Sequence, residues 1–216
     1  LAALGININL SKNDIENCIE KVGIGFIFAP NFHPAFKNIV PIRKVLQIPT
    51  IFNLLGPLIN PTSPKCQVVG VYDFKFLEIY IEVLEMLGAE HTIVLNGNGL
   101  DEASICDETQ IYELENGRIF DYKIKPEECG FERASLDDLK GGDSTLNAEI
   151  LEKILKGEEK GAKLDIVLLN AALCLKAASK VLSMQSGIEM AREALSSGKA
   201  YAKFEQLKIL TLITDH

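Results

Sequence analysis

The chain has no run of lysine and arginine, no CxxC pair, no apolar stretch long enough to cross a bilayer and no initiator methionine. Each absence removes a class of protein. With a formal charge of −8 and no basic face, binding to nucleic acid or to an anionic membrane surface lacks its main attraction. A spanning helix needs about twenty consecutive apolar residues. The opening LAALGININLSKNDIE has neither the basic region nor the apolar core of a signal peptide, so a cytoplasmic protein is expected. The five cysteines, Cys18, Cys66, Cys106, Cys129 and Cys174, are odd in number, widely spaced and without a nearby histidine to complete a zinc site. They read as reduced thiols acting as small apolar side chains. The start lacks a methionine and reads as mid-helix, which is expected of a fragment or a processed chain.

What is present is an ordinary globular composition: 216 residues, 47% apolar and 24% charged, enough for one large domain or a domain with a small satellite. Ser11 should cap a helix over residues 12–21, with Asp14 three residues on as a partial capping box. Apolar residues at helical spacing between His33 and Leu46 predict a buried helical face that Pro41 kinks or divides. Thr50 can cap a short helix that Gly56-Pro57 weakens. Residues 66–72, CQVVGVY, predict a strand buried on both faces, and 74–87 a helix. Thr92 to Leu95 is a second short buried strand. That order is a right-handed crossover unit of an α/β sheet. Alternation in 110–114 and 119–124 around Asn116-Gly117 predicts an antiparallel hairpin with one wet face. Helices are expected from Ser135, over 144–156, 165–178 and 187–197, and as an amphipathic closing segment over 201–212.

Asp101 and Glu102 follow a glycine-rich turn at the end of a buried strand, the edge of an α/β sheet where ligands bind. Alone, such a pair also reads as a solvated loop. Magnesium suits it, because this hard cation is held by one or two carboxylates together with substrate phosphates.

Three segments, Phe28-Ala29-Pro30-Asn31-Phe32-His33-Pro34, PTIFNLLGPLINP over 49–61 and Asn96-Gly97-Asn98-Gly99-Leu100-Asp101-Glu102, together resemble anthranilate phosphoribosyltransferase. The resemblance runs over essentially the whole chain but only the C-terminal part of that enzyme. It implies an α/β fold with a mixed sheet flanked by helices, of the nucleoside phosphorylase and phosphoribosyltransferase type. Residues 1–64 would be leading helices, partly of a small helical domain, and 65–216 the α/β domain. It further implies transfer of phosphoribosyl from phosphoribosyl pyrophosphate to anthranilate in tryptophan biosynthesis, with Mg²⁺ and a homodimer. By that match Asp101 and Glu102 hold magnesium beside the pyrophosphate, and Arg43 clamps the anthranilate carboxylate through its planar fork. His33, Pro30 and Phe36 would contact the aromatic ring; before a proline His33 also reads as a structural residue. Asn96 departs from the family's histidine and reads as a loop-shaping residue. The family's donor-phosphate segments have no counterpart here, so the chain alone is expected to be inactive. A pyrimidine nucleoside phosphorylase-like enzyme and a non-catalytic dimerisation module are the alternative readings.

Overall fold

The structure, a computed structural model, describes residues 1–33 and 52–213. Arg43, Phe36, Thr50 and the helix expected up to Leu46 lie outside the described residues. In chain order the elements are helices α1 (Lys12–Val22), α2 (Ala29–Phe32) and α3 (Phe52–Leu58), strand β1 (Cys66–Gly70), helix α4 (Leu77–Met86) and strands β2 (His91–Asn96), β3 (Thr109–Glu115) and β4 (Arg118–Ile124). Helices α5 (Ser144–Leu155), α6 (Ala162–Ala177), α7 (Met184–Ser196) and α8 (Lys199–Ile213) follow. The chain folds as two compact units, one comprising Leu1–Gly56, Gly141–Glu158 and Leu195–His216, the other Pro57–Lys140 and Glu159–Ala194. The expected division at 64/65 concerns the domains of an intact protein.

The second unit holds a four-stranded sheet in the order β1-β2-β3-β4. β1 and β2 are parallel, with Val68 opposite Ile93; β2–β3 and β3–β4 are antiparallel. This is the mixed α/β architecture expected. Helix α6 packs on β1 and β2, and α4 on β2 and β3. Strand β2 is buried at all six residues, as an inner strand between two helices should be. β1 is a correction: Cys66 is exposed and Val69 the only fully buried residue of the strand. It stands at the end of the sheet among the described residues, so one edge lacks the cover that the apolar run suggested. The hairpin turn has Asn116 at φ 52° and Gly117 at φ 69°. Two successive positive φ values match the twist of the flanking strands, which is why Asn-Gly stands there. β3 alternates between buried and half-buried, and β4 is exposed along most of its length.

The first unit packs Leu4, Ile6, Leu10, Ile15, Cys18, Val22, Phe204 and Leu207 into one core. Ser11 and Asp14 form a complete reciprocal capping box at the start of α1, closer to the full motif than Asp at that position suggested. The segment expected to be helical from Ser135 is a single 3₁₀ turn, Leu136–Leu139, with its own Ser135/Asp138 box. All five cysteines are free thiols.

Candidate functional site

Asp101 and Glu102 lie in the loop that leaves β2, at the carboxyl ends of the two parallel strands. Their placement is set first by the close approach of the backbone to the strand ends. A Cβ at Gly70, the last residue of β1, would sit 1.5 Å from the Asp101 carbonyl oxygen, and one at Gly97 would sit 2.3 Å from that of Glu102. Only glycine permits the loop to lie this close to the strand ends. Asn96, 4% exposed, donates through Nδ2 to the Val71 carbonyl at 2.7 Å and accepts at Oδ1 from the Gly99 amide at 3.1 Å. Its amide is spent on shaping the turn, as its loop position suggested. Asn98 and Gly99 then take φ values of 53° and 96°, which turn the chain back toward the sheet.

Past the acidic pair the loop is anchored again. Ala103, Ser104 and Ile105 are buried; Ser104 donates its amide to Thr109 Oγ1 at 2.9 Å. Asn170 of α6 accepts from the Ala103 amide and donates to the Ala103 carbonyl, both at 2.9 Å. Sequence reasoning places Asn170 only within the helix expected over 165–178, where a Cβ added at Gly187 would come within 2.9 Å of the Ala172 side chain. It missed the role of Asn170, whose partner is 67 residues away.

Both carboxylate residues are exposed. The surroundings of Glu102 are nonetheless dense enough that desolvation, followed by the charge of Asp101, pushes its carboxyl above the ordinary glutamate range. A crowded carboxylate with a second one beside it gains from a shared cation. Hard oxygen donors on a rigid loop with open water access fit magnesium.

Another acidic cluster does not fit. His91, Glu113 and Glu115 bring potential ligand atoms within 4.8 Å of one another. Glu113, though, accepts from His91 Nε2 at 2.9 Å and from the Tyr122 hydroxyl at 2.6 Å, and pairs with the Lys176 ammonium. A resident ammonium has already taken the place of a metal there. A hollow of about 480 Å³ lined by Phe74, Asn96, Asn98, Gln110 and Lys123 also lies on the sheet unit; neither Asp101 nor Glu102 forms its wall.

Pro30 and His33 belong to the first unit. Pro30 falls in the first turn of α2, where its missing amide costs nothing, and His33 closes that helix, its amide donating to the Ala29 carbonyl at 3.0 Å. Both are half-buried. Phe32 beside them packs on the unit's core and fixes the short helix. The diglycine before α5 is closed by its own chain: Asn147 binds the Gly142 amide and carbonyl at 2.9 Å each, and Asp143 caps Leu146. A carboxylate at that helix start disfavours an anion there.

The sequence model of the family described as "Glycosyl transferase family, a/b domain" matches residues 1–201. The anthranilate phosphoribosyltransferase of Persephonella marina is 44% identical over 209 residues, 96% of this chain and 62% of that protein. Its counterpart in Methanosarcina mazei is 46% identical over 98% of this chain and 57% of its own length. Among solved structures, anthranilate phosphoribosyltransferase from Thermus thermophilus superposes with a TM-score of 0.90 at 40% identity, over 97% of this chain and 62% of that one. The enzyme from Saccharomyces cerevisiae, in complex with PRPP and Mg, gives 0.89 at 26% identity, over 97% and 61%. The chain thus spans about three fifths of the length of these relatives. Matched over nearly its whole length by that model, the chain belongs to the glycosyl transferase family, by its a/b domain.

Proposed function

We propose that this chain carries the metal-binding and acceptor-binding part of an enzyme that transfers phosphoribosyl from phosphoribosyl pyrophosphate to anthranilate, in tryptophan biosynthesis. The observation that carries the reading is the loop fixed against the carboxyl ends of β1 and β2 by Gly70 and Gly97, with Asp101 and Glu102 exposed on it. Ligands of open α/β sheets bind at that edge. The relatives that return on both sequence and structure support it, among them a structure with PRPP and Mg.

Asp101 and Glu102 would hold Mg²⁺. Bound there, the ion stabilises the negative charge gathering on the departing pyrophosphate without a proton. Arg43 would orient anthranilate through two parallel bonds to its carboxylate, and Pro30, Phe36 and His33 would wall its ring. The aromatic amine is a weak nucleophile, so holding it in line with the anomeric carbon contributes much of the rate. In the intact protein residues 1–64 would lend helices to a small helical domain and 65–216 form the α/β domain, in a cytoplasmic homodimer. No helix among the described residues is long and apolar enough to cross a membrane.

The test is an assay for phosphoribosyl anthranilate with the longest natural form of the chain. Magnesium-dependent product is expected, with Arg43→Ala raising KM for anthranilate. Turnover of a pyrimidine nucleoside and phosphate without any transfer to anthranilate would overturn the reading.

A further inference from the structure

Asp101 and Glu102 are exposed, and the backbone that carries them is held on two sides. On one side that backbone presses on Gly70 and Gly97. On the other it is held by a side chain of α6. Asn170 grips both polar groups of Ala103, the residue immediately after Glu102: Oδ1 accepts its amide and Nδ2 donates to its carbonyl, each at 2.9 Å. The second Nδ2 hydrogen goes to the Ile166 carbonyl one turn back on α6, also at 2.9 Å, which fixes the rotation of the amide group itself. Ala103 is fully buried, and its own methyl makes no polar contact.

We infer that Asn170 is a positioning residue for the divalent-cation loop, holding the peptide after Glu102 in register with helix α6 so that the two carboxylates converge. The inference rests on the reading of Asp101 and Glu102 as cation ligands. Among side chains of this length only an amide both donates and accepts in one plane. Aspartate would keep the bond to the Ala103 amide and lose both donations. Leucine or alanine would leave a buried amide and carbonyl without partners, which the fold tolerates poorly. A neutral group also adds no charge beside a cation site.

The experiment uses the 216-residue chain and Mn²⁺ with inorganic pyrophosphate as the probe, free Mn²⁺ being followed by electron paramagnetic resonance. Affinity, melting temperature and hydrogen exchange of the 101–104 amides are measured for wild type, Asn170→Ala, Asn170→Asp, Asp101→Asn with Glu102→Gln, and the triple combination with Asn170→Ala. In Asn170→Ala, Mn²⁺ binding is expected to weaken about tenfold, the worth of one well-placed hydrogen bond, with faster exchange at Ala103. In the background lacking both carboxylates, Asn170→Ala should still lower the melting temperature but have no further effect on Mn²⁺. A merely structural asparagine would not show that split. If Asn170→Ala does not fold, Asn170→Asp carries the comparison, with a smaller loss in the same direction. Wild-type Mn²⁺ affinity in a folded Asn170 variant overturns the inference. Equal Mn²⁺ binding by wild type and by the variant lacking both carboxylates instead removes the cation-ligand reading, and the inference with it.

Discussion

Gly70 and Gly97 decide where the acidic pair sits, because in each case the atom that an added methyl would strike is a backbone carbonyl oxygen, which cannot rotate away. Gly70→Ala should cost about 3 kcal/mol, the upper end of ordinary overpacking, and should weaken divalent-cation binding. Urea unfolding would show it; a wild-type midpoint would mean that the loop is free to lift off the strand. Alanine at Asp101 and Glu102 together acts differently. Both side chains are exposed, so stability should hold while turnover falls by about a hundredfold or more. Steady-state kinetics with the intact enzyme measure this, and unchanged turnover would remove the pair from the mechanism. The position of the acidic pair at the strand ends was legible in the sequence because a glycine-rich turn after an apolar strand marks that edge of an α/β sheet. Gly70 had a weaker signal, a lone glycine within CQVVGVY. Asn170 had none, since its partner lies in a different part of the chain and periodicity reports only local neighbours.

Helix α1 starts where its capping chemistry places it. Ser11 Oγ accepts from the Asp14 amide at 3.3 Å and Asp14 Oδ2 accepts from the Ser11 amide at 3.2 Å. Ser11→Ala should therefore cost about 1 kcal/mol, and Asp14→Ala after it should cost less than in the wild-type background, because each half of the box supports the other. Thermal melts of the two single variants and the double variant test this; strict additivity would contradict the reciprocal cap. Strands β2, β3 and β4 and the hairpin were readable from apolar runs and Asn116-Gly117, since turn chemistry and burial point the same way there. Helix starts were readable less well. α6 begins at Ala162 and α7 at Met184, three residues before Asp165 and Gly187, because the apolar face that periodicity detects begins only in the second turn. The doubly buried reading of β1 failed for a different reason: an apolar composition does not state how many neighbours a strand has.

In the molecule as a whole, the sheet is tied to α6 at two points along that helix, by Asn170 at its middle to the loop and by Lys176 in its last turn to the buried Glu113 network. Burial alone would raise the Glu113 carboxyl, but hydrogen bonds from Lys176, Tyr122 and His91 outweigh it and hold the group below the ordinary value of 4.5. A carboxylate lowered in this way stabilises the fold above about pH 4.5, and that contribution is lost as pH falls through its folded value. Glu113→Gln should reduce stability at pH 7 by about 3 kcal/mol, since it leaves a half-buried ammonium unpaired, and should flatten the loss of stability below pH 4.5. Denaturation followed between pH 3 and pH 7, a window set around that ordinary value, checks this; parallel curves for variant and wild type would contradict it. The two units, each drawn from separate stretches of chain, were not legible, because composition marks only boundaries between adjacent segments. Whether the loop after β2 is a divalent-cation site is decided by anomalous diffraction from crystals grown with Mn²⁺ and pyrophosphate. A peak about 2.1 Å from carboxylate oxygens of Asp101 and Glu102 is expected; a peak at Glu113 and Glu115 with none at the loop would rule the site out.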